Sequence, residues 1–395
     1  MARLTRDYWR LWSAGAVSNV GDGAFSAAVP LLAAQATHRP LLVSAVSAAA
    51  YAPWLVLSLP AGAVVDRADR KRLMVRAQLA QAGVMAATTV AVVTGWAGIG
   101  PLIAMAFALG ACEVVFANAA QAVLPDVVPA AELHRANGYQ NTMTYLGQQF
   151  LGPPAGSALF AAAAAAPFGL NALSFAVSAA LLAHLPRSTP ATPPEPMGAA
   201  IRDGLHWLLR HRQLRTLALL LGANTFCFAM GTSTLVLLVT RALHASEGGY
   251  GLVLAAAAAG GAIGGLVNAR LVRLLGPLPA LVLSLGTTVV VFGLLGAAPN
   301  LPVLAVLLAA SGFATTIWNV LALSVRQQQV PAALRGRVGS VYRMVGWGCT
   351  PLGALAGGLV ATTLGFRAPY PVAGALRGIA LLVALPVLIR TFRRG

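Results

Sequence analysis

Residues 278–297 read LPALVLSLGTTVVVFGLLGA, twenty consecutive positions without a charged side chain. A helix of that length rises about 30 Å, the thickness of a bilayer's hydrocarbon core. Outward from this run, similar stretches recur near 11–34, 41–64, 74–94, 100–121, 138–160, 167–186, 216–239, 249–269, 301–323, 338–361 and 369–390, separated by charges, Pro and Gly. Of the 395 residues 58% are hydrophobic and only 9% charged, whereas a water-soluble domain carries about 25% charged residues. The pattern predicts an all-α membrane protein of twelve transmembrane helices and excludes a soluble fold.

The formal charge of +17 would point to nucleic acid in a soluble protein. Here the basic residues sit in short clusters between apolar spans, so no nucleic-acid surface is expected and membrane orientation explains them. With a cytoplasmic N-terminus, one side collects Arg6 and Arg10, the 67–76 cluster, Arg135, the run from Arg202 to Arg215, Arg270, Arg273, and Arg326 to Arg343, while the other offers Arg39, Arg241 and Arg367. That asymmetry predicts both termini inside and an even number of spans, and the expected residence is a bacterial cytoplasmic (inner) membrane. The N-terminal apolar stretch is too long for a signal-peptide core, so it is expected to stay as the first helix.

Cys112, Cys227 and Cys349 lie inside apolar segments and have no partners at metal-ligand spacing. No P-loop, HExxH or GxSxG motif occurs either. Neither an enzyme, a metal site, a cofactor nor ATP-driven transport is expected.

The chain divides near its middle. Ser188 to Pro196 is Pro-rich, hence stiff and extended, and Ile201 to Arg212 sets Leu205, Leu208 and Leu209 on one face beside Trp207, as suits a helix at the inner membrane surface. The expected organisation is a six-helix bundle over 1–186, a linker with an amphipathic helix over 187–215, and a second six-helix bundle over 216–395. An offset of 202 residues relates Gly62 to Gly264, Asp66 to Asn268, Lys71 to Arg273, Gly110 to Gly312 and Val128–Ala131 to Val330–Ala333. A duplicated six-helix unit is the simplest cause, giving two pseudo-symmetric bundles with a midplane site between them.

The segment PAGAVVDRADRKR, Pro60 to Arg72, closes the second span and opens the loop to the third. Gly62 permits close helix approach, Asp66 sets an anion toward a helix N-terminus, and the arginines supply forked donors. A topology signal alone needs neither Gly62 nor Asp66. The segment resembles the G-x-x-x-D-R-x-G/D-R-R/K signature of the major facilitator superfamily. In the fifth span, Gly147 to Gly156 (GQQFLGPPAG) is similar to the G-x-x-x-x-G-P-x-x-G signature of that superfamily's exporters, with Gly147, Gly152, Pro153 and Gly156 as its fixed positions. SNVGDG (18–23), LHRANG (133–138) and RGRVGS (335–340) extend the likeness to the enterobactin-exporter and macrolide-efflux branch.

The resemblance implies secondary transport by alternating access and a gate of Gly62, Asp66, Arg67, Arg70 and Lys71. It pairs the arginine of the signature with Asp126, and sets Asp66 toward the start of the eleventh span near Arg337. One feature departs from the pattern. Where many proton-coupled exporters carry an arginine in the fourth span this chain has no basic residue, and the nearest charge is Glu113.

Carboxylates at the centre of a bilayer cost about 2.5–3.5 kcal/mol each on insertion scales and are seldom idle. Asp22 and Glu113 are the two candidates for proton or cation coupling, with interhelical hydrogen bonding as the plainer alternative. Asn19, Phe25, Asn141, Tyr145, Asn224, Phe226, Trp318 and Asn319 fall at mid-helix depth and suit the wall of an amphiphilic cavity. The resulting expectation is a monomeric, proton-coupled exporter of a drug-like or siderophore-like small molecule. An importer of a small nutrient on the same fold and a non-transporting sensor or scaffold are the alternatives.

Overall fold

The computed structural model describes residues 4–65, 67–129, 132–186, 197–331 and 334–392. All of its regular elements are helical. In chain order they are α1 (Arg6–Ala36), α2 (Pro40–Val56), α3 (Ser58–Val65), α4 (Arg70–Val93), α5 (Ile99–Val127), α6 (Leu133–Thr144), α7 (Gly152–Ala162) and α8 (Ala166–Leu182). There follow α9 (Met197–Arg210), α10 (Arg212–Leu237), α11 (Glu247–Leu275), α12 (Pro277–Leu295), α13 (Leu301–Gln329), α14 (Arg335–Leu364) and α15 (Pro369–Phe392).

Seven described helices are long and apolar enough to cross a membrane: α5, α10 with the turn after it, and α11 to α15. Shorter apolar helices are α2 and α8. Two of the predicted spans are interrupted for local reasons. The second predicted span, 41–64, is broken at Leu57, because Pro60 has no N–H for the Val56 carbonyl and its ring crowds that oxygen. In the fifth, Pro153 and Pro154 likewise leave the carbonyls of Gln149 and Phe150 without their usual partners. The backbone widens over Tyr145–Leu151, where the Gly152 N–H bonds to the Gly147 carbonyl, five residues back. This helix also begins earlier than its hydropathy predicts, at Leu133 rather than 138.

Helix starts follow capping chemistry. Thr5 Oγ1 accepts from the Tyr8 N–H (3.1 Å) ahead of α1, Asp69 from Arg72 ahead of α4, Ser246 from Gly249 ahead of α11 and Asn300 from Val303 ahead of α13. Each satisfies one of the N–H groups that a first helical turn leaves without an acceptor.

The helices form two compact units, Met1–His38 with Ala49–Glu195, and Arg39–Ala48 with Pro196–Gly395. The core of the first unit centres on Leu11, Met74, Val123, Val127 and Leu182. There Tyr8 Oη donates to the Ala136 carbonyl (3.1 Å) and Thr5 Oγ1 to that of Val127 (2.5 Å). The second unit packs Leu214, Leu217, Leu281, Trp318, Tyr342 and Leu388 together. Its Tyr342 Oη donates to the Leu214 carbonyl (2.6 Å), and the Arg326 guanidinium lies over the Tyr342 ring at 4.7 Å. The start of α2 belongs to this second unit, where Ser44 Oγ donates to Ser233 Oγ (3.3 Å) and Gly358 lies against Leu41 and Ser44. So does α9, whose Gly204 abuts the backbone of Arg337 while Leu208 is buried.

The two units repeat one packing device. Gly110 of α5 lies against the backbone of Ala50 in α2, and Gly312 of α13 against that of Ala257 in α11. A side chain at either glycine would collide with a carbonyl, so these positions, 202 residues apart, set close helix approach in both units.

Candidate functional site

In the first unit, α1 and the broken α6–α7 helix meet along a line of small residues. Gly147 faces Asn19 and Val20, Gly152 meets Gly23 backbone to backbone, and Gly156 lies on Ala24. The fixed glycines of the fifth-span signature are therefore the contact surface for α1, and Pro153 is buried among them. Asn19 is held in the same seam, with Nδ2 2.7 Å from the Gly15 carbonyl and 3.1 Å from Met143 Sδ.

This line holds Asp22, half-buried in the middle of α1. Ser18 Oγ donates to Asp22 Oδ2 at 3.2 Å, and the side chains of Asn171 on α8 and Gln148 in the wide turn face the carboxyl. Glu113 of α5 is close enough to interact with Asp22 electrostatically and accepts from Gln81 Nε2 of α4 at 3.1 Å. One turn from Gln81, the fully buried Gln78 has neither amide atom hydrogen-bonded among the described residues. The two candidate acids thus lie in one polar cluster fed by α1, α4, α5, α8 and the turn after α6. Two neighbouring carboxyls inside a shell of neutral amides and hydroxyls can hold and pass on a proton.

At the end of the same unit, Arg70 Nη1 is 3.0 Å from Asp126 Oδ2 and donates to the Ala122 carbonyl at 3.1 Å. This links the start of α4 to the last turn of α5. Gly62 is buried in α3, Arg67 is exposed, and Lys71 lines a pocket of about 270 Å³ with Arg72, Val75, Arg76 and Ala183. Asp66 lies outside the described residues. Arg337, half-buried at the start of α14, belongs to the second unit, where its backbone receives Gly204.

The candidate wall residues differ in setting. Asn19, Phe25, Tyr145, Asn224 and Phe226 are half-buried, and Asn141 and Asn319 are exposed. Trp318 is 3% exposed and belongs to the packed core. Phe25 meets Phe168 edge to face at 6.3 Å.

The amides around the acids belong to no motif in the sequence. Gln78 and Gln81 stand one turn apart on a span that needed no polar residue at that depth, which is the signal that marks them. Arg377 of α15 has no motif around it in the sequence, yet it is 4% exposed and lies within the second unit.

The family model described as transmembrane secretion effector, within the major facilitator superfamily, matches residues 1–394. The multidrug efflux pump Tap of Mycobacterium tuberculosis is 28% identical over 388 residues, covering 93% of this chain and 88% of Tap. The enterobactin exporter EntS of Shigella boydii is 26% identical over 407 residues, covering 96% and 91%. Among solved structures, a bacterial homologue of the lysosomal transporter Spinster, inward-facing and occupied, matches with a TM-score of 0.77 at 13% identity over 100% of this chain and 99% of that one. A bacterial homologue of the iron transporter ferroportin, inward-facing, gives 0.75 at 18% identity over 98% and 99%. At these identities the structural likeness is one of fold.

Proposed function

Because the chain belongs to the transmembrane secretion effector family of the major facilitator superfamily, we propose that it is a secondary transporter that exports a drug-like or siderophore-like small molecule in exchange for protons. The names of the similar multidrug pump and enterobactin exporter support that substrate class. Twelve spans complete the fold when α1, the α2–α3 pair, α4, the α6–α7 pair and α8 join the seven helices long enough by themselves. They fall into bundles over 1–186 and 216–395, joined by 187–215, in a bacterial inner membrane with both termini cytoplasmic. The protein works as a monomer.

The observation that carries the reading is the seam of α1 against α6–α7. The exporter signature supplies Gly147, Gly152 and Gly156 to the face of α1 that holds Asn19 and Gly23, on either side of Asp22. A helix held by glycine contacts can slide or tilt without prying apart interdigitated side chains. Tilting α1 moves Asp22 relative to Glu113, Gln148 and Asn171, which ties the protonation of the cluster to the position of the helix. Proton release on one side and loading on the other then drive rocking of the bundles. The Arg70–Asp126 pair belongs to a gate with Gly62, Asp66, Arg67, Lys71 and Arg337. Asn19, Phe25, Asn141, Tyr145, Asn224, Phe226 and Asn319 supply the substrate cavity.

Accumulation of rhodamine 123 in cells expressing the chain tests direction and energy source together. Export predicts lower accumulation than in control cells, restored by a protonophore. Higher accumulation on expression would mark an importer, and accumulation equal to that of control cells with every dye and siderophore tried would favour a non-transporting role.

A further inference from the structure

Arg377 is a permanent cation in the middle of an apolar helix. At 4% exposure it does not reach a polar surface by extending its stem, as arginines near helix ends do. Its Nη2 donates to the Asn224 carbonyl at 3.1 Å, the guanidinium carbon stands 3.9 Å from the centroid of the Phe292 ring, and the Cys227 side chain lies beside it. Nε has no partner among the described residues. No carboxylate pairs with it among the described residues, and the two acids of residues 196–395, Asp203 and Glu247, lie on α9 and α11 rather than on α10, α12 or α15.

A carbonyl dipole and a ring face offset only part of the cost of taking a guanidinium out of water. The fork has five N–H donors with the geometry of a carboxylate or phosphate partner. Neutral groups hold it, the Asn224 carbonyl by a hydrogen bond and the Cys227 side chain beside it, and Nε is left for a further acceptor. Its neighbour Asn224 and the nearby Phe226, on the same helix, are half-buried.

We infer that Arg377, with Phe292 and the Asn224 carbonyl behind it, is the recognition point for an anionic group on the transported molecule, such as a carboxylate or an ionised catechol. The ligand's oxygens replace the Asn224 carbonyl as acceptor, and the Phe292 ring orients the fork. The inference rests on the export reading for its ligand, while its site is defined within the second unit alone.

Fluorescein and rhodamine 123 share a xanthene core and differ in charge, anionic against cationic at mildly alkaline pH. Fluorescence anisotropy of both dyes with the purified full chain in nanodiscs measures binding without requiring transport. Arg377→Gln is expected to weaken fluorescein binding by at least about tenfold and rhodamine 123 by less than about threefold. Wild-type protein that does not bind fluorescein, or R377Q that loses both dyes equally, overturns the inference and leaves Arg377 as a staple of α10, α12 and α15. Should R377Q not accumulate, Arg377→Lys keeps the charge and loses the fork. It is expected to weaken fluorescein selectively, and equal weakening of both dyes overturns the proposal. The export reading fails separately, if wild type binds fluorescein yet moves neither dye.

Discussion

Gly23 and Gly152 meet backbone to backbone, so that neither position has room for a side chain. The contact joins α1 to the first turn of α7, one residue from Asp22 on one helix and one residue from Pro153 on the other. Replacing Gly152 by Val is expected to destabilise the folded protein by about 1–3 kcal/mol through overpacking, read as earlier thermal unfolding in detergent. Gly138, with open space around it inside α6, serves as the control, and its replacement by Ala should not lower the melting temperature and should raise it slightly, since Ala favours a helix interior over Gly by about 0.5–1 kcal/mol.

The Arg70–Asp126 pair is formed at 3.0 Å, with the Asp126 side chain 42% exposed. Solvent screening limits such a pair to about 1 kcal/mol or less. Asp126→Asn should therefore shift thermal stability little and reduce transport several-fold, because the pair fixes the ends of α4 and α5. Exchanging the charges, Arg70→Asp with Asp126→Arg, should recover part of the loss. A double variant no better than the single ones would remove the pair from the gate.

In each unit a tyrosine hydroxyl ties two helices by bonding to a backbone carbonyl, Tyr8 to Ala136 and Tyr342 to Leu214. Loss of either hydroxyl leaves a carbonyl without that donor. Tyr342→Phe and Tyr8→Phe should each lower stability by about 1 kcal/mol, with effects that add because the sites lie in different packing clusters. Thermal melts of the single and double variants check both statements.

Asp22 and Glu113 share one cluster, so their substitutions should not add. If the pair works as one proton-handling group, Asp22→Asn with Glu113→Gln should transport no worse than Asp22→Asn alone, and the cycle should show coupling. Independent, additive losses would assign the two acids separate roles.

The residues announce the helices and the seam more clearly than they announce the site. Uncharged runs such as 278–297 are unambiguous because a bilayer demands about twenty apolar residues for a span. The glycines of the fifth-span signature mark close approach, yet nothing local identifies α1 as the partner. The break at Leu57 follows from Pro60, and the wide turn from Pro153 and Pro154, although apolar content alone draws both spans as continuous. Trp318 reads as a wall residue by depth and packs in the core, since depth along a helix does not fix which face turns inward. Asn171 and Gln148 come to Asp22 only through tertiary packing. The placement of residues 39–48 in the second unit has no sequence mark at all.

Asp22 is the proposed link between proton movement and export. Proteoliposomes holding the purified chain, with rhodamine 123 outside or inside and an imposed pH gradient, measure it directly when dye flux and proton flux are followed together. Wild-type protein should move dye against protons only while the gradient lasts, and Asp22→Asn should lose the gradient dependence while still binding the dye. Transport by Asp22→Asn that keeps the full pH-gradient dependence of wild type would remove Asp22 from the coupling.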